Sequence, residues 1–172
     1  MERALIDTSI LIEPFISWGK DEPNYKEKSM AIVKGVLVDF KERFLPVISL
    51  SVLGELSLVL KDKKSLQKDL RERKEKMDQT LDPFFNECEK VGLKKETINL
   101  CSKILTEIDD RLEPLDALHI ATAIIEKCNT FIFIDQGLKD NEKIKKFIKE
   151  EGIYFMPINL SENEDKRKID FF

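Results

Sequence analysis

Two short aliphatic runs in this sequence each end at an aspartate, and this pattern restricts the fold more than any other. Residues 3–6 lead to Asp7, and residues 131–134 lead to Asp135. Short apolar runs of this kind are typical of buried strands. The long interval between the two runs contains many apolar residues at helical spacing. Strands that alternate with helices predict a parallel sheet covered on both faces, in an α/β domain.

The order of the remaining segments extends this prediction. Pro46 starts a second strand over 47–50, the run before Asp135 is the third strand, and 153–156 gives a fourth. Helices are expected over 25–44, 52–60, 84–91, 97–108, 115–124 and 138–149, with a solvated, highly charged helix over 61–79. We therefore predict a three-layer α/β/α fold with a central, mainly parallel sheet of four or five short strands.

The length of 172 residues suits one domain. We expect it to span residues 1–156, including a charged helical excursion at about 61–112 between the second and third strands, with a charged C-terminal tail over 157–172. No stretch approaches the ~18 uninterrupted apolar residues of a membrane span. Acidic residues interrupt the apolar run at the N-terminus, unlike a secretion signal. A cytoplasmic protein without a membrane partner is expected.

The composition excludes several kinds of chemistry. The chain has three cysteines without a CxxC pair and a single histidine, so neither a disulfide framework nor a zinc site fits. It contains no GxxxxGK[ST] or GxGxxG phosphate loop. Its 29 basic and 33 acidic residues give a net charge of −4, which argues against nucleic-acid binding through a uniformly basic surface. A nucleic-acid substrate would therefore need a metal ion.

Four acids are expected at one edge of the predicted sheet. Asp7 and Asp135 end strands, and Glu55 and Asp116 lie in the first turns of otherwise apolar helices. Ligands of open α/β sheets collect outside the carboxyl ends of the strands. Buried carboxylates need partners, and several carboxylates without soft ligands suit Mg²⁺ or Mn²⁺. Such an acidic metal site predicts phosphodiester hydrolysis.

Four segments of the sequence together resemble the PIN-domain nucleases, which include VapC-type toxins. The segments are LIDTSILI at 5–12, SVLGEL at 51–56, DALHIATA at 116–123 and FIDQGL at 133–138. The resemblance covers about residues 1–156, and DALHIATA is its most specific part. One departure concerns Phe133, which stands where relatives often have Thr or Ser, so a hydroxyl contact from that position is missing.

The resemblance implies an endoribonuclease that uses Mg²⁺ or Mn²⁺. Residue by residue, it implies Asp7, Glu55, Asp116 and Asp135 as the catalytic metal ligands, with Ser9 supporting Asp7. It also implies an RNA substrate, an antitoxin partner and a homodimer. The apolar residues of the 16–18 and 169–172 segments are predicted to contribute to such an interface, and docking of the tail onto its own domain is the alternative.

Several residues have a plainer interpretation beside the functional one. His119 is expected to be a structural residue of a buried helix rather than a general base. Ser9 is as well explained by capping the following helix as by a role near the metal. The basic helix after Asp135 carries Lys139, Lys143 and Lys146, which we predict to contact the RNA backbone.

The competing functional class is a non-catalytic RNA- or protein-binding module. A phosphatase with an aspartyl-phosphate is disfavoured, since no DxD follows the first strand.

Overall fold

Five parallel strands form the centre of the molecule, in the order β3-β2-β1-β4-β5. The fold is that of a computed structural model, which describes residues 1–11, 44–59, 67–134 and 136–157. The strands are β1 Glu2–Ile6, β2 Phe44–Ser49, β3 Glu89–Val91, β4 Thr130–Phe133 and β5 Tyr154–Pro157. The helices are α1 Leu50–Val59, α2 Gln67–Glu87, α3 Lys95–Lys103, α4 Pro114–Ile125, α5 Gln136–Lys139 and α6 Glu142–Glu150, and a further helix begins at Thr8. The predicted α/β class with a parallel sheet is confirmed.

The sheet is covered on both faces because successive side chains of a strand point to opposite sides. In β4, Ile132 packs in one apolar cluster, which includes Val52 of α1 and Phe84 of α2. Its neighbour Phe131 packs in a second cluster, which includes Ile120 of α4 and Ile148 of α6. These two clusters are the interfaces between the sheet and its two helical layers. The structure is therefore three-layered, and β1 lies at its centre.

The second and third strands differ from the prediction. Pro46 lies inside β2 instead of starting it, because β2 begins at Phe44. Proline is tolerated at this position because β3 pairs only with Val47 to Ser49. The side of β2 that faces β3 therefore has no strand pairing at Pro46. The helix expected over 84–91 ends at Glu87, and residues 89–91 form β3. The excursion between the second and third expected strands is therefore not wholly helical.

The basic helix expected over 138–149 is two helices. Helix α5 ends at Lys139, and α6 begins at Glu142 after its N-cap residue, Asn141. The Asn141 side chain accepts a hydrogen bond from the Ile144 N–H at 3.1 Å and donates to Asp109 Oδ2 at 2.8 Å. A side chain that caps a helix start and binds a second segment fixes the boundary there. The sequence pattern did not reveal this break.

Other predicted segments have mixed outcomes. The helix expected over 97–108 is regular only to Lys103, and Ile104–Ile108 forms a π-helical turn. Residues 12–43, 60–66, 135 and 158–172 lie outside the described residues. Most of the 25–44 helix, the first part of the 61–79 helix, and the predicted interface segments 16–18 and 169–172 fall there. Among the helices that the structure describes, none is long and apolar enough to cross a membrane.

Candidate active site

Asp7 lies at the carboxyl end of the central strand and starts the next helix. Its N–H donates to the Ile132 carbonyl at 2.9 Å, which extends the β1–β4 ladder by one residue. Its Oδ2 accepts from the Ser9 N–H at 3.0 Å and from the Ser9 hydroxyl. Asp7 is therefore the N-cap of the helix that begins at Thr8. Ser9 lies inside that helix, and its hydroxyl oxygen also accepts from the Ile134 N–H at 3.0 Å.

Glu55 reaches the same edge of the sheet from helix α1. Its Oε2 accepts a hydrogen bond from the Thr8 hydroxyl and makes another, at 2.8 Å, with His119 Nε2. The same nitrogen lies 3.7 Å from Asp7 Oδ1. Two carboxylates, distant in the sequence, thus converge on one imidazole nitrogen.

Helix α4 positions the imidazole. Pro114 occupies its first helical position, where a missing N–H costs nothing, and the preceding Glu113 is extended. Asp116 lies in the first turn, and His119 follows three residues later on the same helical face. The His119 side chain is only 2% exposed. Helix α4 therefore brings a buried histidine and a half-buried aspartate to the end of the sheet where Asp7 lies.

The ionisation of these groups is interdependent. Burial raises the pKa of Asp7 above its usual value, although the charge of His119 and the hydrogen bonds from Ser9 oppose this. Burial is also the largest influence on Glu55 and acts to raise its pKa, but the hydrogen bonds from His119 and Thr8 lower it below the usual value. Burial would lower the pKa of His119, and its bond to Glu55 and the charges of Asp7, Glu55 and Asp116 raise it. The carboxylates therefore favour the protonated form of the imidazole, and a protonated imidazole favours the ionised acids.

The family of the chain follows from its sequence. Residues 4–144 match the PIN domain. The chain belongs to the PIN domain family. PIN domains are generally nucleases. No curated protein is significantly similar to the chain in sequence.

Solved structures share the fold of this PIN domain at low sequence identity. FitAcB from Neisseria gonorrhoeae is similar with a TM-score of 0.59 and 17% identity, over 89% of this chain and 96% of that one. VapBC2 from Rickettsia felis, bound to a DNA fragment from their promoter, is similar with a TM-score of 0.56 and 18% identity, over 91% and 97% of the two chains. Both agree with the five-stranded parallel architecture.

The donor set of this PIN domain fits a hard divalent cation by its chemistry. Asp7 and Glu55 supply carboxylate oxygens, the ligands that Mg²⁺ and Mn²⁺ prefer. Burial disfavours the charged form of Asp7, and a cation would compensate that charge. Across the described ranges, no three His, Cys, Asp or Glu side chains are arranged as a metal-binding group. Asp135, the fourth predicted ligand, lies outside those ranges.

The lysines predicted to contact RNA occupy the two helices after β4. Lys139 is half-buried at the end of α5. Lys143 Nζ lies 4.0 Å from Asp109 Oδ1, and Lys146 Nζ lies 4.0 Å from Glu150 Oε1. The acids neutralise part of the positive charge that the sequence assigned to this helix.

Phe133 has a structural role that explains its presence in β4. The side chain is fully buried, and its ring lies 4.2 Å from that of Phe155 and 5.5 Å from that of Phe131, between centroids. It belongs to the core, and a hydroxyl contact at this end of β4 comes instead from Ser9, which accepts from the Ile134 N–H. That the missing hydroxyl at position 133 weakens the site stays a prediction.

Sequence reasoning did not anticipate that His119 joins two of the predicted ligands. It expected a buried residue hydrogen-bonded to backbone or side chain, and His119 is buried and bonds to Glu55. One signal was present, because the spacing from Asp116 places both side chains on the same face of α4. The contacts of Thr8 with Glu55 and of Ser51 with His119 had no such signal in the sequence.

Proposed function

We propose that this chain is a divalent-metal-dependent endoribonuclease and the toxin of a toxin–antitoxin pair. The observation that carries the proposal is the convergence of Asp7 and Glu55 on one buried imidazole at the carboxyl edge of the sheet. Burying two carboxylates together is unfavourable unless a positive group accompanies them. A site that gathers negative charge where a parallel sheet binds its ligands is suited to a catalytic cation.

The residues of the chain have distinct roles in this proposal. Asp7, Glu55 and Asp116, with Asp135, would hold Mg²⁺ or Mn²⁺ through carboxylate oxygens. A bound ion of this kind lowers the pKa of an attacking water and stabilises charge on the phosphate. Ser9 fixes the carboxylate of Asp7 through two hydrogen bonds to one of its oxygens. His119 would not need to act as a base, since a bound cation would supply the water activation.

RNA is the proposed substrate, and Lys139, Lys143 and Lys146 are proposed to contact its backbone. All three follow β4 along the chain, and α5 begins directly after Asp135. Contacts to phosphate supply affinity and salt dependence, without sequence specificity. Replacing Lys139 and Lys143 together by Gln should weaken RNA binding and reduce its dependence on salt, with little effect on kcat.

The toxin assignment rests on the fold neighbours. FitAcB and VapBC2 are both toxin–antitoxin complexes, and each covers about nine tenths of this chain. We propose an antitoxin partner on the same basis. A homodimer is proposed because the sequence resemblance implies one, and a cytoplasmic location because it is typical of toxin–antitoxin PIN proteins. A small DNA-binding protein encoded immediately upstream, which co-purifies with this chain and inhibits it, would support the toxin role. Light scattering that finds only a monomer at every concentration would contradict the dimer.

The test of the nuclease is RNA cleavage by the full chain with Mg²⁺ or Mn²⁺, and with EDTA. Asp7→Asn and Asp116→Asn should each lose activity, because each substitution removes a charged ligand while nearly preserving the side-chain volume. Loss of about 4 kcal/mol of transition-state stabilisation corresponds to roughly a thousandfold in rate. Asp82→Asn is the matched control, since Asp82 is exposed on α2.

The result that refutes the nuclease is equally specific. Cleavage that survives both Asp7→Asn and Asp116→Asn would place the activity elsewhere or in a contaminant. A folded wild-type chain that neither binds a divalent ion in calorimetry nor cleaves RNA would favour the non-catalytic binding module.

A further inference from the structure

A chain of polar contacts connects strand β2 to the carboxylate of Glu55. Ser49 Oγ lies 2.5 Å from Ser51 Oγ, which lies 3.4 Å from His119 Nδ1. The other ring nitrogen, Nε2, lies 2.8 Å from Glu55 Oε2. Ser49 is itself fixed, because it is fully buried and its hydroxyl accepts from the Val52 N–H at 3.4 Å. Both nitrogens of the imidazole therefore have defined partners, one on each side of the ring.

The donor and acceptor roles in this chain follow from elementary chemistry. An ionised carboxylate only accepts hydrogen bonds, so the hydrogen of the His119–Glu55 contact resides on Nε2. In the neutral imidazole, Nδ1 then accepts a hydrogen bond from the Ser51 hydroxyl, whereas in the protonated ring the Nδ1–H donates to the Ser51 oxygen. Such a partner on the far nitrogen selects the tautomer and orients the ring, as it does for many functional histidines.

The two carboxylates share a pattern of asymmetric contacts. Both hydrogen bonds to Glu55, from Thr8 and His119, end on Oε2. Both hydrogen bonds to Asp7, from the backbone and hydroxyl of Ser9, end on Oδ2. Among the described residues, these hydrogen bonds hold one oxygen of each carboxylate. We assign the metal-ligand role to the other oxygens, Glu55 Oε1 and Asp7 Oδ1, of which Oδ1 also lies 3.7 Å from His119 Nε2.

We propose that His119 is the positioning residue that holds Glu55 beside Asp7, and that Ser51 sets the orientation of its ring. The inference rests on the proposed function, because it assigns the purpose of that orientation to the metal-ligand oxygens. The ring is nearly inaccessible to solvent, and it joins α4 to α1 through its contacts with Glu55 and Ser51. His119 acts through Glu55 and is not itself a catalytic residue.

The first experiment needs no metal and no activity. The chain has a single histidine, so ¹⁵N-labelled histidine in the untagged protein gives the signals of His119 alone. On the alkaline side of the imidazole titration, we expect a neutral ring with its proton on Nε2. Ser51→Ala should shift the Nδ1 signal, and Glu55→Gln should shift the Nε2 signal. Ser57→Ala is the matched control, since Ser57 is exposed on the same helix and its hydroxyl bonds to the Leu53 carbonyl.

The second experiment separates positioning from general support of the fold. A Gln side chain places its amide N–H near the former Nε2, whereas Asn reaches only the region of Nδ1. His119→Asn should therefore weaken Mn²⁺ binding in calorimetry by about 10–100-fold, the usual effect of removing a group that orients a ligand. His119→Gln should lose much less. A purely structural role predicts equal effects of the two substitutions, tracking their losses in Tm.

The outcomes distinguish this inference from the proposed function. In the neutral ring, a proton on Nδ1 would overturn the arrangement proposed for His119. Histidine signals that do not change with Ser51→Ala would overturn it as well. Equal Mn²⁺ affinity in His119→Asn and the wild type would overturn the positioning role. If the wild type binds no Mn²⁺, the proposed function fails, and the histidine signals of Glu55→Gln still decide whether His119 holds Glu55.

Discussion

Replacing Asp7 by Asn should stabilise the metal-free protein while it inactivates the proposed nuclease. The wild-type carboxylate is buried, which costs several kcal/mol for an isolated ion. Its attraction to the protonated ring of His119, 3.7 Å away, offsets about 4.5 kcal/mol at an effective dielectric constant of 20. Burial is the larger of the two influences, because the pKa of Asp7 is raised overall. Asn removes the charge and keeps an acceptor for Ser9, and Asn caps helices as well as Asp does.

The sign of the effect also fixes its pH dependence. Below the unfolded pKa of about 4, Asp7 is protonated in both states and contributes no difference. As the pH rises above that value, Asp7 ionises first in the unfolded chain. The free energy of unfolding of the wild type therefore falls until the pH passes the raised folded pKa. The advantage of Asp7→Asn over the wild type should therefore be absent at low pH and present at neutral pH. Each pKa unit of the shift is worth about 1.4 kcal/mol.

Urea and thermal unfolding in EDTA measure this effect. For a chain of this size, a gain of only about 1 kcal/mol raises Tm by roughly 2–4 °C. Asp7→Ala is the matched control, since it also removes the charge but loses the cap, and should lie about 1 kcal/mol below Asp7→Asn. With Mn²⁺ at about 100 times its Kd, the wild type alone should gain about 2.7 kcal/mol, which reverses the order. If Asp7→Asn is less stable than the wild type in EDTA at pH 7, the account of the buried carboxylate is wrong.

Three further predictions concern the core and the helix boundary. Phe133→Ala should lower the free energy of unfolding in urea by about 3–5 kcal/mol, because the ring is buried and packs on Phe155. Burial raises the pKa of the Cys88 and Cys128 thiols to about 12, so both should resist Ellman's reagent at pH 8 until denaturant is added. The hydrogen bond from the α6 N-cap lowers the pKa of Asp109, so Asp109→Asn should destabilise the protein at pH 7. The difference in urea midpoint should begin to shrink at about pH 4, the unfolded pKa, and disappear only below the lowered folded pKa.

The sheet was largely predictable from the sequence because its strands are apolar runs with clear ends. Strand β3 is the exception, since its three residues follow directly on the periodic helix α2 and offer no run long enough to recognise. The prediction that Pro46 starts the second strand was wrong for a related reason. A proline argues against a strand only when that strand is paired on both sides. Whether β2 is paired on both sides at Pro46 depends on the length of β3.

The sequence predicts that Asp7 and Glu55 lie at one edge of the sheet, but it does not predict how their side chains are arranged. Strand ends and helix starts identify Asp7 and Asp116, because topology alone brings those positions to one edge. The contact of Glu55 with His119 joins residues 64 positions apart, and that of Ser51 with His119 joins residues 68 apart. Side-chain contacts across such separations depend on helix rotation and packing, which a local pattern does not encode. The boundary at Asn141 was missed for the same reason, since its partner Asp109 belongs to another element.

The position of β1 in the sheet has a consequence for synthesis on the ribosome. This central strand is made first, yet one of its two neighbours, β4, begins only at Thr130. Contacts between distant parts of a chain form late, and they slow folding. A nascent chain that ends within α3 already contains Asp7 and Glu55 but not the imidazole that holds them together. The acidic edge is therefore completed only after α4 and β4 have been synthesised, more than one hundred residues after Asp7.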